Sequence, residues 1–351
     1  MKRDQYQSDA RSGGGGRLSW FNPFASDISG PGRLLRALLL LLLIYVVCAP
    51  FVMWYEYQRA FPAFFDPRPA SSVSEGAEAS KAKVPAGVVF SDTLIIMVNN
   101  MLESWLPNDL IYPTIWLDNP HNFQLGQLEV VRYSTRVLRD KLSRQRTTDK
   151  IDPAADRAFT DFSNNPKLWI FPSAESKFRD GVKSLEKYRA GLEDGTSHFY
   201  PRADNLIELL DQLTSLLGGE NTRLSNAPRD RDLRLSEETA GDRYSEGERL
   251  QRVRVPWSEI DDNFYRARGV AYALRQVLVA VRWEFAEILR IKRSNELLDT
   301  VIEELALANF EPLLVLNGSR DSIFANHSLK LMATLENVRQ KLINLQHMLE
   351  R

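Results

Sequence analysis

The chain is poor in the residues from which compact chemical centres are built. Its 351 residues include one cysteine, which excludes a disulfide framework and a cysteine-rich zinc site. The four histidines, His121, His198, His327 and His347, are too few and too scattered to suggest a metal centre. An excess of one charge is also missing. The 45 basic and 46 acidic residues leave a net charge of −1, so no global field recruits nucleic acid. The sequence contains no phosphate-binding glycine loop, nucleophile elbow or dinucleotide fingerprint. No cofactor is expected. A hydrophobic content of 44% nevertheless suits a folded protein, and the length suffices for about two domains.

Long hydrophobic runs are scarce too, with one exception. Ala37 to Tyr55, ALLLLLLIYVVCAPFVMWY, carries no charge. As a helix it is about 28 Å long, close to the roughly 30 Å hydrocarbon core of a bilayer. Leu38 to Leu43 insert favourably, and Trp54, Tyr55 and Tyr57 suit an interfacial aromatic belt. Pro50 is tolerated in a membrane helix. A cleaved leader would be shorter and would end in small residues, whereas Met53, Trp54 and Tyr55 close this run. A buried core helix would show a polar face, which the leucine run lacks. We therefore expect a retained transmembrane helix.

Lys2, Arg3, Arg11, Arg17, Arg33 and Arg36 precede the span, and just after it come only Arg59 and Arg68. The positive-inside rule then keeps the N-terminus in the cytoplasm and sends the remainder across, in a bacterium into the periplasm. Cys48 lies inside the span, so the exported part has no thiol, as suits an oxidising compartment.

The expected organisation is a flexible cytoplasmic tail over 1–36, a transmembrane helix over 37–57, a Pro/Ser/Ala-rich spacer over 58–89 and a helical domain over 90–351. Ser91 is expected to cap a helix running to about Trp105. Leu128, Val131, Thr135, Leu138 and Leu142 recur at three- and four-residue steps. Ser173 can cap a helix carrying Phe178, Val182, Leu185 and Leu192. Pro201 opens another, which buries Leu206, Leu209, Leu213 and Leu216 and ends at Gly218-Gly219. Residues 219–254 are densely charged and read as a long loop. The seam from Ile260 through Phe264, Ala267, Ala271, Leu274, Leu278, Val281 and Phe285 to Ile288 predicts a helix of about 42 Å. Leu331, Leu335, Val338, Leu342, Leu345 and Leu349 predict the last helix. The expected fold class is all-α, a single N-terminal transmembrane helix followed by an extracytoplasmic bundle with long coiled-coil-like helices.

The motifs each have a plain structural reading. Glu259, Asp261 and Asp262 could serve acid–base chemistry or a cation, but behind Ser258 they fit helix capping better. Arg266, Arg268 and Arg275 could grip a phospholipid headgroup or a glycan carboxylate; such arginines more often pair with acids of a neighbouring helix. His327, near Ser319 and Asp321, is better read as a helix-start histidine than as part of a triad. Three aromatic–proline elements stand outside helix interiors: Trp116 to Pro120, Trp169 to Pro172, and Pro256-Trp257. They could line a cleft for a glycan or peptide, or plug the end of the bundle. The candidate interaction cleft is assigned to Trp116, Trp169, Arg202, Asp204, Trp257 and Asp261, with no catalytic or metal-binding residue.

Several of these elements form an ordered set: Trp116-Leu117-Asp118-Asn119, then Trp169-Ile170-Phe171-Pro172-Ser173-Ala174-Glu175, then Phe199-Tyr200-Pro201-Arg202-Ala203-Asp204-Asn205-Leu206. Pro256-Trp257-Ser258-Glu259-Ile260-Asp261-Asp262 and Leu316-Asn317-Gly318-Ser319 complete it. Behind a single span, this set resembles the domain-of-unknown-function 2333 family of gammaproteobacterial inner-membrane proteins, over most of the chain. The tail is longer than the family pattern, and the charged loop after Gly219 is free to vary. The resemblance implies a membrane-anchored envelope protein and carries no catalytic residue with it. The expected role is interaction or scaffolding in the cell envelope rather than catalysis. The alternative is a periplasmic lipid- or glycan-binding module, or an enzyme, using the aromatic–proline cleft. The expected partners are the bilayer through the anchor and an envelope protein or a second copy of the chain, with no nucleic acid.

Overall fold

An apolar run with no polar face makes the first helix. In a computed structural model, which describes residues 30–68, 84–110, 113–146, 148–226, 231–232, 252–253, 260–312, 315 and 326–351, α1 spans Gly30–Ala60. The segment Leu34–Ala60 is long and apolar enough to cross a membrane, with 27 residues and about 40 Å of helix. It extends beyond the expected 37–57 at both ends. The described side chains up to Tyr55 are mostly exposed. The expected tail over 1–36 lies largely outside the described residues. The chain divides into two units, residues 1–55 and 56–351.

The second unit is helical. Its elements are α2 (Val88–Leu102), α3 (Asp118–Val137), α4 (Pro153–Phe162), α5 (Ala174–Asp194) and α6 (Ala203–Asn226). They are followed by α7 (Ile260–Glu284), α8 (Ala286–Ile291), α9 (Asn295–Ala308) and α10 (His327–Glu350). A 3-10 turn, Thr114–Trp116, precedes α3, and a π turn, Leu138–Leu142, follows it. Two short strands, β1 (Arg231–Asp232) and β2 (Arg252–Val253), pair antiparallel. They are the only described part of the expected loop between the end of α6 and residue 254.

The described beginning of the stretch read as a spacer is part of the fold. Residues 61–68 run along α7: Tyr272 donates to the Ala63 carbonyl (2.9 Å), and the Gln276 amide donates to the Phe65 carbonyl (3.0 Å). Phe64 stacks on Tyr272 with ring centroids 5.2 Å apart. The aromatic content of Phe61, Phe64 and Phe65 outweighs the prolines around them. Residues 69–83 lie outside the described residues.

Ser91 is not the cap of α2. Its hydroxyl lies inside the helix and donates to the Gly87 carbonyl (2.8 Å). The cap is supplied from far along the chain. The Glu284 carboxylate accepts from the backbone amides of Gly87 (2.9 Å), Val89 (2.9 Å) and Phe90 (3.2 Å). A buried anion thus satisfies amides that the first turn leaves open and complements the positive end of the helix. Gly87, at φ 90°, turns the chain into position.

Local caps act as the sequence suggests elsewhere. Ser173 accepts from Ser176 (3.2 Å) at the start of α5, and Asn326 accepts from Leu329 (2.9 Å) at the start of α10. Asp152 accepts from Ala154 and Ala155 ahead of α4, a helix the apolar spacing did not reveal. The pair Gly218-Gly219 does not end α6. Leu217 and Leu224 are buried on either side of it, and buried Glu220 meets Arg266 at 3.1 Å. Those contacts outweigh a glycine cost of about 1 kcal/mol per residue.

The long seam is buried from Phe264 to Phe285, with Ile260 and Ile288 half-buried at its ends, but by more than one partner helix. Val270, Tyr272, Ala273, Val277 and Ala280 are buried as fully as the seam residues. Helix α7 is therefore central, packed by α2, α3, α6, α9 and α10. It ends at Glu284, because Phe285 leaves helical geometry (φ −100°, ψ 16°) before α8 begins. The approach of α3 to α7 is set by two glycines. A Cβ at Gly269 would stand 2.0 Å from the Phe123 carbonyl oxygen, and one at Gly126 would stand 2.1 Å from that of Arg266. In α10 every expected seam leucine, and Val338, is buried, with α6 and α9 as neighbours. These seams pair within one chain.

Candidate functional site

The charged candidates are mostly absorbed by the fold. Arg266 pairs with Glu220 (3.1 Å) and approaches Glu129 (3.7 Å). Arg268 is nearly fully buried, donates to Asn309 (3.0 Å) and Glu311 (3.1 Å), and lies over the Phe61 ring at 4.8 Å. Arg202 is held by Asp204 (2.6 Å) and by the Gln145 carbonyl (2.9 Å). Asp140, Lys141 and Arg144 line the same groove, and neither Trp116 nor Trp169 reaches it. That groove sits beyond the C-terminal end of α3, about 30 Å of helix away from Asp118.

The opposite end of α3 gathers other candidates. Asn122 donates to Asp262 (2.7 Å), joining the starts of α3 and α7. Asp261 is in the first turn of α7, where burial raises its pKa and the Asp118 charge adds to the effect. Ser258, Glu259 and Trp257 lie outside the described residues, as do Ser319 and Asp321. Burial lowers the pKa of His327, with Lys330 acting in the same sense. His121 is shielded more strongly: burial first, then the Lys167 charge, outweigh Asp118 and set its pKa at about 4.

Trp116 and Trp169 do not plug the bundle. They stand 69% and 56% exposed on two adjacent loops. The plug is Trp105, which the sequence did not single out. It is buried edge-on against Phe178 (centroids 5.1 Å apart), and its indole N–H donates to the Pro166 carbonyl (3.2 Å). With that end already filled, Trp116 and Trp169 are left outside.

A lateral cleft of about 600 Å³ opens between residues 64–68, the C-terminal half of α7 and α9. Three guanidinium groups line it. Arg68 is gripped by Asp66 (2.5 Å), and Arg282 by Asp299 (2.9 Å). Arg275 instead lies over the Phe64 ring at 4.1 Å and donates to the side-chain oxygen of Gln276 (3.0 Å). Burial lowers its pKa, against the opposing influence of Tyr272 and Asp66. With Trp283, Val279 and Ile302 around it, the cleft offers a cation in an apolar setting. Such a setting suits a single anionic group with an apolar body. Among the described residues, no three His, Cys, Asp or Glu side chains are grouped to hold a metal ion.

A family model described as an uncharacterized protein conserved in bacteria (DUF2333) matches residues 31–351. The chain belongs to this family. The DUF2333 match takes in α1 from its second residue and the whole helical unit, so anchor-like helix and bundle are one family unit. No curated protein and no solved structure matches the chain.

Proposed function

We propose that this DUF2333 protein is a single-span protein of the bacterial inner membrane. Its N-terminus is cytoplasmic, its helical unit is periplasmic, and that unit serves as an interaction scaffold in the envelope. The observation that carries this reading is α1 itself, whose Leu34–Ala60 segment is long and apolar enough to cross a membrane. The described side chains of α1 up to Tyr55 are mostly exposed, and its last turn, from Glu56 on, belongs to the folded unit. Ser104 donates to Glu56, Tyr57 donates to Glu311, and Arg59 pairs with Glu103 (3.2 Å). The surplus of basic residues ahead of α1 supports the orientation.

In-cell photocrosslinking from exposed positions of the unit tests the scaffold role. A discrete protein adduct, lost when the crosslinking residue is moved to a buried site, is expected. Adducts to lipid alone, from every position, would refute it. The lateral cleft favours a second reading, a lipid- or glycan-binding module, because it presents Arg275 on the face of the Phe64 ring among apolar side chains. In that case Arg275→Gln abolishes retention of an anionic amphiphile on the purified protein.

A further inference from the structure

Ten large apolar side chains stand exposed among the described residues outside α1, and seven of them come from two loops. Leu110, Ile115 and Trp116 belong to the loop before α3; Leu168 to Phe171 belong to the loop before α5. Phe171 is 96% exposed. Isolated exposed apolar residues are ordinary on protein surfaces, but a cluster of this kind marks a docking surface.

The two loops are tied together and to the end of α1. Asn108 donates to the Leu168 carbonyl (2.9 Å) and to Glu175 (2.9 Å), and Trp105 donates to the Pro166 carbonyl (3.2 Å). Ser104, next to Trp105, donates to Glu56, and Glu103 pairs with Arg59. Glu56 directly follows Trp54 and Tyr55, which as interfacial residues sit at headgroup level. Within the second unit, the clustered loops therefore lie close to its first residues, which follow directly on the apolar run. Their composition of Trp, Ile, Leu and Phe is that of segments that seat in the headgroup–acyl boundary.

We propose that Trp116 and the Leu168–Phe171 tip form a second membrane contact, seated in the boundary layer of the bilayer beside the point where α1 emerges. The occupant is the lipid surface itself. The proposal rests on the reading that α1 spans a bilayer. With the helix and this side contact, the chain meets the membrane at two places.

The test uses the full chain in vesicles of phosphatidylethanolamine and phosphatidylglycerol. An environment-sensitive fluorophore is placed on Cys48 in the parent, and on Phe171→Cys or Ile291→Cys in a Cys48→Ser background. Ile291 is exposed at the end of α8, which follows the C-terminal end of α7. Expected are strong quenching of the Cys48 and 171 labels by spin-labelled lipid chains, and aqueous quenching of the 171 label several-fold weaker than that of the 291 label. If Cys48 is quenched from lipid while 171 is as open to the aqueous quencher as 291, the second contact is wrong and the span stands. If Cys48 is not reached from lipid, the span and the second contact fall together. Shielding of 171 in native membranes but not in vesicles would also overturn the proposal, pointing to a protein partner. Far-UV circular dichroism of each labelled variant checks that the helical content is unchanged.

Discussion

Replacement of Glu284 is the most demanding trial of how the second unit is held together. Its carboxylate accepts from three backbone amides at the start of α2, across nearly two hundred residues of chain, and is buried. Glutamine keeps one oxygen, enough for Val89 and Phe90, but turns an N–H₂ group toward the amide of Gly87. With hydrogen bonds to charged groups contributing about 1.5–3 kcal/mol each, Glu284→Gln should cost about 2–3 kcal/mol. Alanine leaves all three amides without this acceptor, and the cost rises to about 4–5 kcal/mol. At about 2–4 °C per kcal/mol for a unit of this size, the glutamine variant should melt about 5–10 °C below the parent and alanine lower still. Thermal melts of the full chain in detergent, followed by near-ultraviolet circular dichroism, measure this. Hydrogen exchange at Val89 and Phe90 should accelerate in the same order. If both variants melt with the parent, the long-range cap does not stabilise the fold. If only alanine melts early, packing of the side chain matters and its charge does not.

Further consequences follow from single contacts. Gly269→Ala should cost at least about 1–3 kcal/mol, since the new methyl meets a backbone carbonyl that only separation of α3 from α7 can relieve; denaturant midpoints report it. Glu311→Gln should destabilise more than Arg268→Met, because the first leaves a buried guanidinium without its counter-charge while the second leaves a partly exposed carboxylate without its own; equal melting points would refute that asymmetry. His121 should make the unit acid-sensitive. Burial holds its folded-state pKa near 4, below the unfolded value of about 6.5, so between these values the unfolded chain binds a proton that the folded chain refuses. Stability should therefore fall as pH drops from about 6.5 towards 4, by up to about 1.4 kcal/mol per pH unit. His121→Asn should flatten that slope in pH-dependent denaturation, and an unchanged slope would contradict the assignment.

Much of the helical plan was legible because periodicity and capping are local. The α10 seam from Leu331 to Leu349, the Ser173 cap and the leucines of α6 all fall where the spacing put them. What spacing cannot reveal is the number of neighbours. An i, i+3, i+4 stripe looks alike in a two-helix seam and in a central helix, and only the burial of Val270, Ala273 and Val277 identifies α7 as central. The packing of residues 61–68 was missed because the stretch was read from its Pro, Ser and Ala content, while the partner of Phe64, Tyr272, is two hundred residues away. The Glu284 cap was invisible for the same reason. As for the site, sequence singled out Trp116 and Trp169 as unusual, while their exposure depends on Trp105 having filled the end first. Arg202 and Asp204 were grouped with them by proximity in motif order, yet the length of α3 keeps them apart.

The central claim, that one apolar helix carries the bundle across a membrane, is tested most directly by thiol labelling of spheroplasts with a membrane-impermeant maleimide. In a Cys48→Ser background, Lys187→Cys on α5 should label in intact spheroplasts, and Ser8→Cys in the tail should label after permeabilisation and not before. Labelling of Ser8→Cys with silence at Lys187→Cys would invert the topology, and recovery of the whole chain in the soluble fraction would remove the anchor altogether.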